Sequence, residues 1–491
     1  MNLENILKNS EIREIVGNKN LEIAGICYDS RKVAKNTLFV CLEGANFDGH
    51  NFIEDAIKNG AVAVAVQKKV NVNKELFQNV TFIYVSNTRE FLATASVNFF
   101  NHPAKKLKTI AITGTKGKTT TSVMIKSILE KAGYKVGLIG TLGILIGDKL
   151  VPSDNTTPES YEVQKSFNDM VEKGCDYAVF EASSIGLKNH RLDGVLFDYG
   201  VFTNFSSDHI GEHEHKDIDE YLSCKSMLFK RCKIGLVNMD DIHCEAITAD
   251  HTCKIITFGF NDKADYKASG LNLINKNGKV GVGFNISGFL NSKDFFVSIP
   301  GKFNVYNALA AAAVCDVAGI PEECLKEGIK KTKVRGRVEP VDVSHDFSLF
   351  IDYAHNAVSM ENLLLTLKEY KPKRLVTVFG AGGDRPKIRR YEMGEVSGNL
   401  SDFSIITSDN PRTEDPISII EDIKTGINKT KGEYTIIPDR REAIKYSLKN
   451  AKKGDIIVLA GKGHEDYQEI NHVKYPFDER KVIAEILDEG I

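Results

Sequence analysis

The chain has 491 residues, and at roughly 150 residues per domain it is expected to fold as about three domains. Hydrophobic residues make up 42% and charged residues 26%, the balance of a globular protein able to bury several cores. The 64 lysines and arginines nearly cancel the 66 aspartates and glutamates, so a formal net charge of -2 disfavours a nucleic-acid scaffold and leaves room only for a local cationic pocket. No apolar run reaches about 18 residues, so no membrane span is expected. The opening MNLENILKNSEIREIVG lacks the apolar core of a secretion signal. Nine scattered cysteines without a C-x-x-C point away from structural zinc and from a disulfide framework, and toward a cytoplasmic setting.

Along the chain, residues 1–103 hold short apolar runs such as Leu38 to Leu42 and Ala61 to Val66, broken by Gly and Asn, and predict a small α/β module. Asn101-His102-Pro103 followed by Ala104-Lys105-Lys106 reads as a linker. Residues 104–335 alternate strand, turn and helix. Strands are expected at Thr109–Thr113, Tyr177–Glu181, Gly200–Thr203 and Ile234–Asn238, with a helix over Thr119–Lys131, which implies a mostly parallel sheet. Residues 266–299 interrupt this with alternating segments around Asn-Lys-Asn-Gly, predicting antiparallel strands, and Pro300–Ala313 returns to helix. Residues 336–491 begin a second α/β series with strands expected at Leu349–Tyr353, Leu375–Phe379, Ser404–Thr407, Thr435–Ile437 and Ile456–Leu459, a Rossmann-like third domain.

The strongest local signal is Gly114-Thr115-Lys116-Gly117-Lys118-Thr119-Thr120, placed between a predicted strand and a predicted helix. Glycines let backbone N–H groups approach phosphate oxygens, and the helix N-terminus adds partial positive charge. Lys118 would reach the β- and γ-phosphates of ATP, and Thr119 would offer its hydroxyl to Mg²⁺. Ala111 stands where the first glycine of G-x-x-x-x-G-K-[ST] falls, so the match is to a shortened loop; an ordinary glycine-rich turn is the plain alternative.

This loop resembles that of the Mur ligases, the ATP-dependent enzymes that build the peptide stem of peptidoglycan. So do Asp154-Asn155-Thr156-Thr157-Pro158, Glu181-Ala182-Ser183-Ser184, Thr203-Asn204-Phe205 with Asp208-His209, and Tyr221-Leu222-Ser223-Cys224-Lys225. Asp352-Tyr353-Ala354-His355-Asn356, Gly380-Ala381-Gly382-Gly383-Asp384-Arg385, Asp409-Asn410-Pro411-Arg412 and Gly461-Lys462-Gly463-His464-Glu465 complete a set that runs in the family's order over nearly the whole chain. The resemblance implies three α/β domains: a UDP-substrate-binding N-terminal domain, a central P-loop ATPase domain with a parallel sheet, and a C-terminal Rossmann-like domain. It implies a ligase that transfers the γ-phosphate of ATP to a carboxylate and lets an amine displace phosphate from the acyl phosphate. The work is electrostatic, since two anions must meet.

By the same resemblance Glu181 holds Mg²⁺ with Thr119, His209 binds a second Mg²⁺, and Lys225 is carbamylated by CO₂ so that its carbamate reaches that metal. On the residues alone Glu181 is a carboxylate ending an apolar strand, a histidine in a stretch with His213 and His215 reads as exposed, and an isolated lysine reads as solvated. Tyr28, Ser30, Ala45, Asn46 and Phe47 resemble the uridine and diphosphate contacts. Asn155, Thr156, Thr157, Ser183, Asn189 and Arg191 fall where the family grips the muramoyl-dipeptide, with Asn189 in place of a frequent Gln. Asn304, Arg337 and His355 join Gly114 to Thr120 as expected ATP contacts. Asn356-Ala357-Val358-Ser359 departs from the family's usual Thr-Pro-Asp.

Asp409-Asn410-Pro411-Arg412 bears on which amine is added. Meso-diaminopimelate differs from lysine by one carboxylate, which a guanidinium can hold with two parallel hydrogen bonds. Arg412 would supply that clamp, with Arg390, Asp409, Asn410, Pro411, Gly461 and Glu465 in the same pocket. L-lysine and lanthionine remain alternative amines, and a folylpolyglutamate-synthetase-like ligase an alternative enzyme. A P-loop kinase or motor, or an inactive binding protein of this fold, fits the full motif set less well. The expected partners are small molecules, with neither nucleic acid nor membrane, and the family default is a monomer.

Overall fold

The computed structural model describes residues 1–44, 47–70, 79–147, 149–207, 210–211, 214–276 and 278–490. The chain divides into two compact units, one of residues 1–267 with 310–324, the other of 268–309 with 325–491.

The first unit holds two sheets. In the smaller, the strand order is Ile12–Val16, Thr81–Val85, Ala61–Val66, Thr37–Val40, Gly25–Cys27, antiparallel at the first pair and parallel thereafter. In the larger, Lys254–Gly259, Cys232–Asn238, Phe197–Phe202, Lys108–Thr113, Tyr177–Glu181 and Val136–Gly140 run parallel, and Gly143–Ile146 and Lys149–Val151 close the edge antiparallel. Strands buried on both faces must be apolar throughout, which is why these were readable as short continuous runs. Tyr177–Glu181 is buried over its whole length, and Phe167, Phe180 and Phe197 pack beneath with ring centres 6.1 Å apart.

The second unit holds a six-stranded sheet ordered Glu339–Val341, Ser348–Asp352, Asp455–Ala460, Arg374–Phe379, Phe403–Ile406, Tyr434–Ile436, parallel except at its first pair. The expected fold class, α/β with parallel sheets, is the one observed. The antiparallel prediction for 266–299 holds for Lys279–Gly288 against Ser292–Val297, but Tyr266 and Lys267 pair parallel to Phe258 and Gly259. The expected helix at Pro300 starts at Phe303 and runs to Val317, because Gly301 takes φ +108°, outside helical space. The expected linker is an ordered turn: Asn101 and His102 adopt φ +55° and +52°, and Pro103 is buried at the start of a 3₁₀ turn over Pro103–Lys106.

Candidate functional site

In the first unit the strand Lys108–Thr113 ends at Gly114, whose φ is +147° and where a Cβ would sit 2.0 Å from Thr203 Oγ1. Only glycine fits that close approach. The loop is then held from the side by the end of the neighbouring strand. Thr115 N–H donates to Asn204 O (2.8 Å), Lys116 N–H to Asn204 Oδ1 (2.9 Å), and Thr203 Oγ1 and Asn204 Nδ2 both donate to Lys116 O (2.7 and 2.9 Å). Gly117 turns the chain at φ +87° into the helix Lys118–Lys131, leaving its first N–H groups at the loop. The Lys118 ammonium donates to the Gly114 and Thr115 carbonyls (2.7 and 3.1 Å), folded over the same loop.

Glu181 ends its strand fully buried and accepts from Thr119 Oγ1 (3.0 Å) and Thr141 Oγ1 (2.9 Å). Burial pushes its carboxyl above the usual range, opposed by the Lys118 ammonium and the two hydroxyls. A carboxylate and a hydroxyl within hydrogen-bond reach at a helix N-terminus are hard oxygen donors of the kind magnesium takes, so these residues fit that ion. Thr141 Oγ1 also lies 3.0 Å from Thr156 Oγ1. It therefore joins Glu181 to the segment Asn155-Thr156-Thr157, a link between residues distant in the chain that no local pattern signals.

Thr157 is buried, its Oγ1 donating to Glu181 O (2.8 Å) and accepting from Ser183 N–H (2.9 Å). Ser183 caps the helix Ser184–Lys188. Arg191 donates to Thr157 O (2.8 Å) and pairs with Glu159 (2.7 Å), which Arg89 also holds at 3.2 Å. Asn155 is exposed, and Asn189 closes the helix that Ser183 opens. Burial together with the nearby Glu162 carboxylate raises the Tyr28 phenol. Ser30 lies on a turn capped by Asp29, and Phe47 is exposed. Ala45, Asn46 and His209 lie outside the described residues.

Lys225 is 1% exposed, its ammonium 4.4 Å from the centre of the Tyr221 ring, and the Tyr221 hydroxyl lies 3.1 Å from Thr115 Oγ1. His215 is fully buried, with Nε2 2.8 Å from Ser184 Oγ and its ring 4.8 Å from Tyr221. Among the described residues, Glu43, Asp48 and His50 bring three mutually close ligand atoms together, and the Lys68 ammonium already bonds both carboxylates.

In the second unit Asn304 is buried, with Nδ2 donating to Pro300 O (2.8 Å) and Oδ1 accepting from Asn307 (2.9 Å). Arg337 and His355 are exposed, the His355 ring tilted against Tyr353 at 4.7 Å between centres. The departure at Asn356 has a local explanation: Asn356 and Ser359 form a capping box that starts the helix Ala357–Lys368.

Asp409, Asn410, Arg412, Gly461 and Glu465 meet at the ends of parallel strands. Asn410 Nδ2 donates to Glu465 Oε2 (2.9 Å), and Asn410 Oδ1 accepts from Glu469 N–H (2.9 Å). Arg412, in the left-handed region at φ +52°, donates to Gly383 O (2.7 Å) and pairs with Glu469 (3.3 Å). Pro411 is buried between them. Arg390 stands apart: it is 1% exposed, and its guanidinium is taken by Glu414 and Asp422. Lys462, Gln468, Arg440 and Glu479, to which the sequence reading gave no role, surround this cluster. Lys462 bonds Asp409, Asn410 and Glu465, Gln468 donates to Asp409 O (2.8 Å), and Arg440 with Glu479 forms a fully buried ion pair beneath it.

Three family models match the chain in succession: Mur ligase family, catalytic domain over residues 22–100; Mur ligase middle domain over 112–315; and Mur ligase, glutamate ligase domain over 336–463. The chain is 45% identical over 491 residues to a protein of Caldanaerobacter subterraneus subsp. tengcongensis named UDP-N-acetylmuramoyl-L-alanyl-D-glutamate–2,6-diaminopimelate ligase, covering 100% of both chains. It is 42% identical over 492 residues to the protein of that name from Clostridium tetani, again covering 100% of both. A solved structure described by the same name superposes with a TM-score of 0.77 at 31% identity, covering 100% of this chain and 99% of that one.

Proposed function

The chain belongs to the Mur ligase family, and from that premise we propose that it joins meso-diaminopimelate to UDP-N-acetylmuramoyl-L-alanyl-D-glutamate at the expense of ATP, in the cytoplasmic synthesis of peptidoglycan precursors. The observation that carries the reading is the full-length identity to relatives of that name, together with a built cluster of Asp409, Asn410, Arg412 and Glu465 in the second unit. We assign residues 1–103 to the UDP substrate, 104–335 to ATP and 336–491 to the amino acid. The matched family segments 22–100, 112–315 and 336–463 support those bounds.

A carboxylate oxygen is a poor leaving group, so the substrate's glutamate side chain must first take the γ-phosphoryl group of ATP. The amine then attacks the acyl carbon, the C–O bond to phosphate breaks, and ADP, phosphate and an amide remain. In the first unit the Gly114–Thr120 backbone N–H groups and the helix N-terminus cradle the phosphates, and Lys118 leaves its carbonyl partners to reach them. Magnesium held by Thr119 and Glu181, and a second ion by His209 and a carbamate on Lys225, would supply charge neutralisation between the phosphates and the incoming carboxylate. Thr141 holds the Glu181 carboxylate and touches Thr156, while Arg191 and Thr157 brace the segment assigned to the muramoyl-peptide. In the second unit the carboxylates of Asp409 and Glu465 suit an ammonium group, and Arg412 suits a carboxylate.

The test is phosphate release from ATP with UDP-N-acetylmuramoyl-L-alanyl-D-glutamate and meso-diaminopimelate, L-lysine or no amine, with masses of the products. A tripeptide product with diaminopimelate alone is expected. A lysine product alone would overturn the assignment of the pocket, and no product with either would overturn the reaction.

A further inference from the structure

Lys462 follows Gly461 on the turn after the strand Asp455–Ala460 and is fully buried. An ammonium in that position is unfavourable unless every N–H finds an acceptor. Lys462 finds three, on three residues: Asp409 Oδ1 at 3.3 Å, Asn410 Oδ1 at 3.1 Å and Glu465 Oε2 at 3.3 Å. An ammonium has three donors and no acceptor, so these bonds exhaust it and leave nothing to give a substrate. Its effect must therefore pass through the residues it holds.

That effect is geometric and electrostatic. By donating to Asn410 Oδ1, together with the Glu469 N–H, the ammonium holds the amide so that Nδ2 faces Glu465 Oε2 at 2.9 Å. Asp409 and Glu465 carry two negative charges against the single charge of Lys462. Among the described residues Asp409 Oδ2 and Glu465 Oε1 accept no hydrogen bond. The trio thus keeps one unneutralised negative charge and two open carboxylate oxygens. Without Lys462 the two carboxylates would repel each other and Asn410 Oδ1 would keep only its bond from the Glu469 N–H.

We propose that Lys462 is a positioning residue which fixes Asp409, Asn410 and Glu465 as a single surface for an ammonium group of the incoming diamino acid, an inference that rests on the assignment of the amine pocket made above. Lys462→Met removes the charge and its hydrogen bonds and keeps most of the volume. At fixed saturating ATP and UDP-substrate, the KM for meso-diaminopimelate rises about tenfold or more, while the KM values for ATP and for the UDP-substrate stay within about twofold and kcat at saturating amine within about threefold. A general structural defect would move all three KM values together. Lys462→Gln, which removes the charge but keeps two N–H donors, carries the same comparison if the Met variant does not fold. An unchanged KM for the amine, an equal rise in all three, or failure of both variants to fold overturns the proposal. Wild-type protein that makes no diaminopimelate-dependent product overturns the underlying reaction instead, and this role with it.

Discussion

The buried ion pair beneath the amine cluster gives a stability prediction that can be worked from its geometry. Arg440 and Glu479 are both fully buried. Arg440 Nε donates to Glu479 Oε1 (2.9 Å), Nη2 to Ala460 O (3.0 Å) and Nη1 to Ser408 O (3.4 Å), so one guanidinium ties the helix Glu479–Asp488 to the segments that carry Asp409 and Gly461. Arg440→Met leaves the Glu479 carboxylate buried with its main counter-charge gone, at a cost of about 3–5 kcal/mol. Removing both charges with Arg440→Met/Glu479→Leu leaves only the two carbonyl bonds unmade, about 1 kcal/mol each. The double variant is therefore the more stable of the two. The pH dependence has a definite sign. In the single variant burial acts on Glu479 with its main opposing partner removed and holds its folded-state carboxyl above the unfolded value. A group shifted that way supports folding below the unfolded pKa and loses that support as pH rises through the folded one. The destabilisation of Arg440→Met is thus larger at pH 8 than at pH 5. Denaturant unfolding of wild type and both variants at the two pH values measures it. A single variant less than about 1 kcal/mol below wild type, or a double variant less stable than the single, would refute the reasoning.

Three more predictions concern the second unit. Arg412→Ala removes the guanidinium proposed to hold the far carboxylate, so kcat/KM for meso-diaminopimelate falls by about 2–3 kcal/mol, roughly 30- to 150-fold, and the preference over L-lysine shrinks in a competition assay. Gly461 has φ +119° and a Cβ there would meet Asp409 Oδ2 at 2.5 Å. Gly461→Ala therefore raises the KM for the amine and lowers stability by about 1–3 kcal/mol, read by kinetics and unfolding together. Asn356→Ala removes the helix cap and costs about 1 kcal/mol in denaturant unfolding with turnover little changed.

Much of this molecule was legible in its sequence, for physical reasons that differ by element. The strands Tyr177–Glu181 and Ala61–Val66 coincide with their predicted runs because burial on both faces forces continuous apolar composition. The phosphate loop was legible because its glycines answer a local demand, shown by the Gly114 approach to Thr203. Contacts between distant segments were not. Thr141 reaches Glu181 across 40 positions and Lys462 reaches Asp409 across 53, and no periodicity encodes such meetings. The burial of His215 depends on Ser184 and Tyr221, contacts that its neighbours in sequence do not signal. Arg390 was placed with the amine pocket only by resemblance, yet Glu414 and Asp422 take its guanidinium.

The central claim is that a carboxylate is activated as an acyl phosphate and then captured by a diamino acid. The most direct measurement places ¹⁸O in both side-chain carboxylate oxygens of the glutamate in the UDP-substrate, runs the reaction with ATP and meso-diaminopimelate, and weighs the inorganic phosphate and the peptide product. The account predicts one ¹⁸O in each phosphate released and one retained in the new amide. Unlabelled phosphate, or phosphate release without a diaminopimelate-containing product, would contradict it.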